Sequence, residues 1–139
     1  MPTAERVVYA DSSALVKLVV RERWSTDLAV FLNGEADRLV SSALAEVEVT
    51  RGVRVAGGGP EAEEEALEML EACSLVEIER GVIEDARRLA GPSLGTLDSI
   101  HAASAVRSGA SVLVTYDRQL GRAARALGLR VEAPGAALE

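Results

Sequence analysis

An α/β fold in three layers, with a central, mainly parallel sheet of about five short strands and helices on both faces, is what this sequence predicts. Three observations carry the prediction. Short apolar runs such as "VVYA" at 7–10 and "SVLVT" at 111–115 alternate with segments of helical period. Glycine, proline and serine punctuate the junctions between them. Helices separate successive strands, and the crossovers of a parallel sheet need such intervening segments.

The elements follow in order. Strand 1 spans about 6–10, and a helix follows with Leu15, Leu18 and Val19 on one face. A second helix covers "WSTDLAVFLN" at 24–33, with Gly34 as its C-cap. "RLVSS" at 38–42 is a strand whose last serine, Ser42, suits the N-cap of a helix from Ala43 to about Ala56. "GGGP" at 57–60 reads as a linker that places Pro60 in the first turn of an acidic helix, about Glu61 to Ala72. "LVEI" at 75–78 is the third strand, and "VIEDARRLAG" is a fifth helix closed by Gly91 and Pro92. A sixth helix covers 96–109, "SVLVT" is a strand, "DRQLGRAARALG" is a last helix and "LRVE" is an edge strand. At 139 residues the chain fits one domain, 1–139.

Composition narrows the class. Hydrophobic residues make up 48% and aromatics only 3%, so the core is aliphatic. The lone Cys73 cannot form an intramolecular disulfide, which fits a reducing cytoplasm, and its apolar neighbours suggest a buried thiol. No secretory signal is visible and no apolar run reaches membrane-spanning length, so the expected setting is cytoplasmic, with no membrane partner. The net charge of −7 is uneven: 61–71 holds six Glu and no base, whereas Arg107 to Arg130 carries five Arg against one Asp. For phosphate binding the local field matters more than the total.

Ligands of open parallel sheets sit beyond the carboxyl ends of strands. Asp11 stands at that end of strand 1, and Asp117 lies two residues past "VLVT". Asp98 opens the sixth helix, where the helix dipole favours a carboxylate even without a further role. "SSALAEVEVTRG" offers Glu46 and Glu48, which stand about 200° apart around a helix, so one of them faces the site. With Leu44, Val47 and Arg51 marking the inner side, that one is Glu48, and Glu46 points to solvent. Clustered carboxylates repel, so either a pKa rises or a cation binds. An all-oxygen set suits Mg²⁺ or Mn²⁺ better than zinc. His101, three residues after Asp98, shares its face and is read as either a packing and hydrogen-bonding residue or a ligand.

The stretches "VVYADSSALVKL", "VSSALAEVEVTR" and "GTLDSIHAASAVRSGASVLVTYDRQLGRAARALGL" together resemble the PIN domain, and most closely the VapC-type toxins of toxin–antitoxin pairs. The likeness spans nearly the whole chain. It implies a PIN-like fold and a magnesium-dependent endoribonuclease, the toxin component of a type II toxin–antitoxin system. The implied partners are an RNA substrate, a cognate antitoxin and a second copy in a homodimer. Position by position, the family's acids fall on Asp11, Glu48, Asp98 and Asp117; its polar residues beside the first and before the last acid fall on Ser13 and Thr115.

In that scheme Asp11, Asp98 and Asp117 hold metal, and Glu48 either orients the attacking water or holds a second metal through solvent. Positions 118–121 read "RQLG" where some relatives carry a further acid, so one metal or two stays open. Lys17, Arg51, Arg118 and Arg122 are candidates for positioning the phosphate backbone, and the helices at 24–33 and 61–72 offer apolar faces to an antitoxin or a second copy. Competing readings are a housekeeping PIN nuclease for RNA maturation and a non-catalytic binding module. A phosphorylation-receiving signalling domain needs paired acids at strand 1 and a lysine after the last strand, and this chain has neither.

Overall fold

Alternation inside each strand decides which layer its side chains join. In the computed structural model, which describes residues 4–137, β1 (Val7–Ala10) sends Val8 and Ala10 to one face and Tyr9 to the other. The remaining elements are α1 (Ser12–Val16), α2 (Ser25–Glu35), β2 (Arg38–Ser42), α3 (Ala45–Val55), α4 (Pro60–Ala72), β3 (Ser74–Val76), α5 (Arg80–Leu89), α6 (Thr96–Arg107), β4 (Val112–Val114), α7 (Arg118–Ala126) and β5 (Arg130–Glu132).

The five strands lie in the order β3-β2-β1-β4-β5, and every neighbouring pair is parallel. The expected three-layer α/β architecture is therefore the observed one. Val8, Ala10, Val112 and Val114 pack with Leu15, Leu28, Val49, Val53 and Leu70 from α1 to α4. On the opposite face Tyr9, Val40 and Leu113 pack with Ala102 and Ala105 of α6 and Leu120 and Ala124 of α7. The chain builds outward from β1 to β3, then returns to add β4 and β5 on the other side. The switch point lies between β1 and β4, and their carboxyl ends frame the crevice where such sheets bind ligands.

Three expectations change. The first helix stops at Val16; 17–20 continue in tight turns, with Leu18 and Val19 still packed on the core. Gly34 is not a cap, because α2 runs through it to Glu35 and Ala36 turns the chain extended. Ser42 does not cap α3 directly: its hydroxyl accepts from Leu44 N at 3.1 Å in the turn before the helix. Among the described residues no helix is long and apolar enough to cross a membrane.

Gly52 sets the spacing of α1 and α3. A glycine inside a helix costs about 1 kcal/mol relative to alanine, so its place there needs a reason. A Cβ at Gly52 would sit 2.7 Å from Val16 Cγ2, so only glycine allows this approach. One turn earlier on both helices, Ser12 meets Glu48 at 2.7 Å. The glycine therefore brings Glu48 to the carboxyl end of β1.

Candidate active site

Each acid reaches the rim because a helix starts there. Asp11 follows β1 and caps α1: its Oδ1 accepts from Ala14 N at 2.9 Å and from Ser13 Oγ at 3.0 Å. Its Oδ2 accepts from Thr115 Oγ1 at 2.6 Å, and Thr115 Oγ1 in turn accepts from Asp117 N at 3.0 Å. Thr115 thus ties the ends of β1 and β4 together. Asp117 caps α7 through Oδ1, which accepts from Leu120 N at 2.8 Å, while its Oδ2 takes no hydrogen bond from the described residues. Asp98 lies in the first turn of α6, half-buried, and its carboxylate likewise has no hydrogen bond from the described residues.

Electrostatics show that the four acids share one place. Burial, then the charges of Asp117, Asp11 and Glu48, push the Asp98 carboxyl above the usual range, with His101 opposing them. Asp11, only 5% exposed, is also pushed up, by burial against three hydrogen bonds and His101. Two of the acids are thus disfavoured as anions.

Glu48 is held differently. Its Oε1 accepts from Ser12 Oγ at 2.7 Å and from His101 Nε2 at 2.8 Å. Those bonds, that of His101 foremost, hold its carboxyl below the usual range despite partial burial. His101 is 3% exposed, and its Nδ1 lies 2.7 Å from the Tyr9 hydroxyl. Burial and the Asp11 charge keep that hydroxyl protonated. A Tyr9 hydroxyl that donates to Nδ1 leaves the ring proton on Nε2, which donates to Glu48.

The structure brings Asp11, Glu48, Asp98 and Asp117 together. Glu46 is exposed, as expected, but the expected inner face of α3 needs correction: Val47 is 71% exposed, and Ala45, Val49 and Val53 form the buried stripe. Leu44, Val47 and Arg51 instead line an open groove of about 620 Å³ beside Glu48 and Ser12. Ser13 and Thr115 direct their hydroxyl protons to Asp11. Lys17 is bound to Glu22 and to Arg23 O, and Arg118 follows Asp117 at the start of α7. Arg122 lines a separate depression with Leu94 and Gln119. The fit of Ser12, Tyr9 and His101 around Glu48 was not legible from motif spacing. Its one signal was the shared face of Asp98 and His101.

The donors suit a hard divalent cation. All are carboxylates, and Cys73 lies elsewhere, half-buried, with burial raising its thiol to about 11. Asp98 and Asp117 Oδ2 have lone pairs to give, whereas Asp11 already accepts three hydrogen bonds of the roughly four its carboxylate can take. Among the described residues no three metal-binding side chains close into a ready cage. An ion here would keep several waters, as Mg²⁺ does.

Repulsion within the cluster has a measurable sign. A carboxyl whose pKa is raised by folding destabilises the native state once pH exceeds its unfolded value, and not below it. In chelator, Asp98→Asn is therefore expected to raise Tm at neutral pH, with the gain closing as pH falls to the ordinary aspartate range. Solvent screens this half-buried group, so the gain is about 2–5 °C. Thermal unfolding followed by circular dichroism reads it; a lower Tm for the variant at neutral pH contradicts the repulsion.

Comparison with known proteins adds an independent line. The family model described as PIN domain matches residues 8–126. Ribonuclease VapC35 of Mycobacterium tuberculosis is 38% identical over 136 residues, covering 94% of this chain and 99% of that protein. Among solved structures, Mycobacterium tuberculosis VapC20, described as a sarcin–ricin loop cleaving toxin, superposes with a TM-score of 0.72 at 12% identity, covering 84% of this chain and 94% of that one. A toxin–antitoxin complex from Klebsiella pneumoniae matches with a TM-score of 0.67 at 18% identity over 82% of this chain and 89% of that one.

Proposed function

The chain belongs to the PIN-domain family, and from that premise we propose that it is a metal-dependent endoribonuclease, the toxin of a type II toxin–antitoxin pair. One observation supports this most: carboxylates from four separate elements converge at the sheet's switch point, where burial and then the charges of its neighbours push the Asp98 carboxyl up. Without a cation such a cluster is a net cost; with one it is a catalytic centre. We read 1–139 as one nuclease domain acting in the cytoplasm.

Asp98, Asp117 and Asp11 would hold Mg²⁺ or Mn²⁺. Such an ion, when bound, supplies Lewis acidity to the scissile phosphate and lowers the pKa of the attacking water. Glu48 stays ionised because His101 and Ser12 donate to its Oε1, so its Oε2 is available to orient that water and accept its proton. Ser13 and Thr115 act on substrate through Asp11, whose rotamer their hydroxyls fix. Arg51 and Arg118 flank the acids on two sides, beside the groove and after Asp117, where they can contact RNA phosphates.

The partners follow the relatives. A cognate antitoxin fits the match to a toxin–antitoxin complex. Val30 on α2 and Leu67 on α4 are exposed, giving both helices apolar surface for an antitoxin segment or a second copy. Induction in a bacterial host tests the toxin reading: growth arrest is expected, relieved by co-expressing an antitoxin, for which a short reading frame just upstream encoding a small DNA-binding protein is the expected source. Arrest that no neighbouring gene product relieves, or no arrest, returns the chain to RNA maturation.

A further inference from the structure

One pocket next to the acids enters the mechanism above only through Arg118, at its edge. It lies between the α1–α2 connection, the β4–α7 junction and the carboxyl-terminal segment, and encloses about 590 Å³. We propose that it is a phosphodiester subsite that grips the backbone of single-stranded RNA one step along from the cleaved bond. This deepens the ribonuclease reading and rests on it.

The pocket gathers the chain's only Lys and only Trp, one of its two Tyr, and two Arg. The Arg23 guanidinium lies 4.4 Å from the Trp24 ring centroid, and Lys17 Nζ lies 4.9 Å from that of Tyr116. Each stack restrains a flexible cation before any ligand arrives, so less entropy is lost on binding.

The aromatic walls are themselves fixed. Trp24 has φ 72°, the one positive value at a non-glycine among the described residues. Gly135, at φ 88°, backs onto it so closely that a Cβ would come within 2.6 Å of Trp24 Cε3. The Tyr116 hydroxyl donates to Pro134 O at 2.9 Å. A left-handed tryptophan costs on the order of 1–3 kcal/mol and persists only where its surroundings impose it.

Charge identifies the ligand. Arg6, Arg38, Arg54, Arg88, Arg107 and Arg130 all pair with carboxylates. Arg23 and Arg118, like Arg21, Arg51, Arg80, Arg87 and Arg122, have no carboxylate partner among the described residues; what sets Arg23 and Arg118 apart is that they line one pocket, although the chain carries −7 and Asp27 lies against Gly135. Lys17 is shared with Glu22. Two unpaired guanidiniums fit a phosphate. Cations already occupy a face of each ring, so backbone rather than base is the better match. Tyr116 sits between Thr115 and Asp117, and Arg118 follows, which sets the subsite beside the acid cluster.

The test is binding of a fluorescent single-stranded RNA oligonucleotide to the full chain carrying Asp98→Asn, in chelator, across a salt series. Adding Arg23→Ala or Arg118→Ala is expected to weaken binding about tenfold at low salt and to reduce the slope of log affinity against log salt by about 0.7. Arg23→Lys should keep most of the slope, and Arg87→Ala, on the far end of α5, should change neither. Unchanged affinity and slope in both pocket variants overturns the subsite, as does an equal loss in Arg87→Ala. If the wild-type chain cuts no RNA in magnesium, the ribonuclease reading falls separately, and the binding series still decides the pocket.

Discussion

Asp11→Asn and Asp98→Asn are each expected to abolish magnesium-dependent RNA cleavage, by about 10³-fold or more, and to leave the chain folded. A thousandfold is about 4 kcal/mol of transition-state stabilisation, the scale expected for losing a charge that holds a catalytic metal. Folding survives for local reasons. Asparagine is as good an N-cap as aspartate, so Ala14 N keeps its acceptor. The Thr115 hydroxyl can turn to accept from the new amide. At position 98 no hydrogen bond from the described residues is lost, and repulsion from Asp117 and Asp11 is relieved. Single-turnover cleavage and circular dichroism read both halves. A folded variant that cuts at the wild-type rate removes its residue from the site.

Glu48→Gln is expected to cost about 10²-fold or more in cleavage rate, and Glu46→Gln to stay within about twofold. The amide oxygen that Glu48→Gln introduces can still accept from Ser12 and His101, so geometry is kept and the anion is lost. Glu46 is exposed on the other side of α3 and touches none of the four. His101→Ala separates positioning from charge: Glu48 remains but loses the donor that fixes it and lowers its pKa. Its loss should show in kcat with KM little changed, and His101→Gln, which can still donate, should recover part of it. Equal damage from Glu46→Gln and Glu48→Gln would contradict the assignment of faces.

The positions of Asp11 and Asp117 were legible because a parallel sheet fixes where strand ends go, and a strand-to-helix junction favours a capping carboxylate. Glu48 was chosen over Glu46 by the helix face it shares with Leu44, Val47 and Arg51. The side marked by Leu44, Val47 and Arg51 was right as a groove and wrong as a core, since an apolar residue next to a binding surface reads like one in the interior.

Local pattern could not reveal the rest. Tyr9 and Glu48 meet His101 from 92 and 53 residues away, and no helical or strand period spans such distances. The reason for Gly52 inside α3 is equally non-local: Val16 of α1 packs against it. Trp24 suggested a helix start, and it stands immediately before one, but its ring packs against Gly135 at the far end of the sequence, a contact no local pattern encodes.

The most direct test is cleavage of single-stranded RNA by the purified chain, with Mg²⁺, with chelator, and with Asp98→Asn in Mg²⁺. Cleavage is expected only by the wild-type chain with Mg²⁺, and Mn²⁺ should restore it after chelation. RNA cut equally well in chelator, or by folded Asp98→Asn, would show that the four acids are not the catalytic centre.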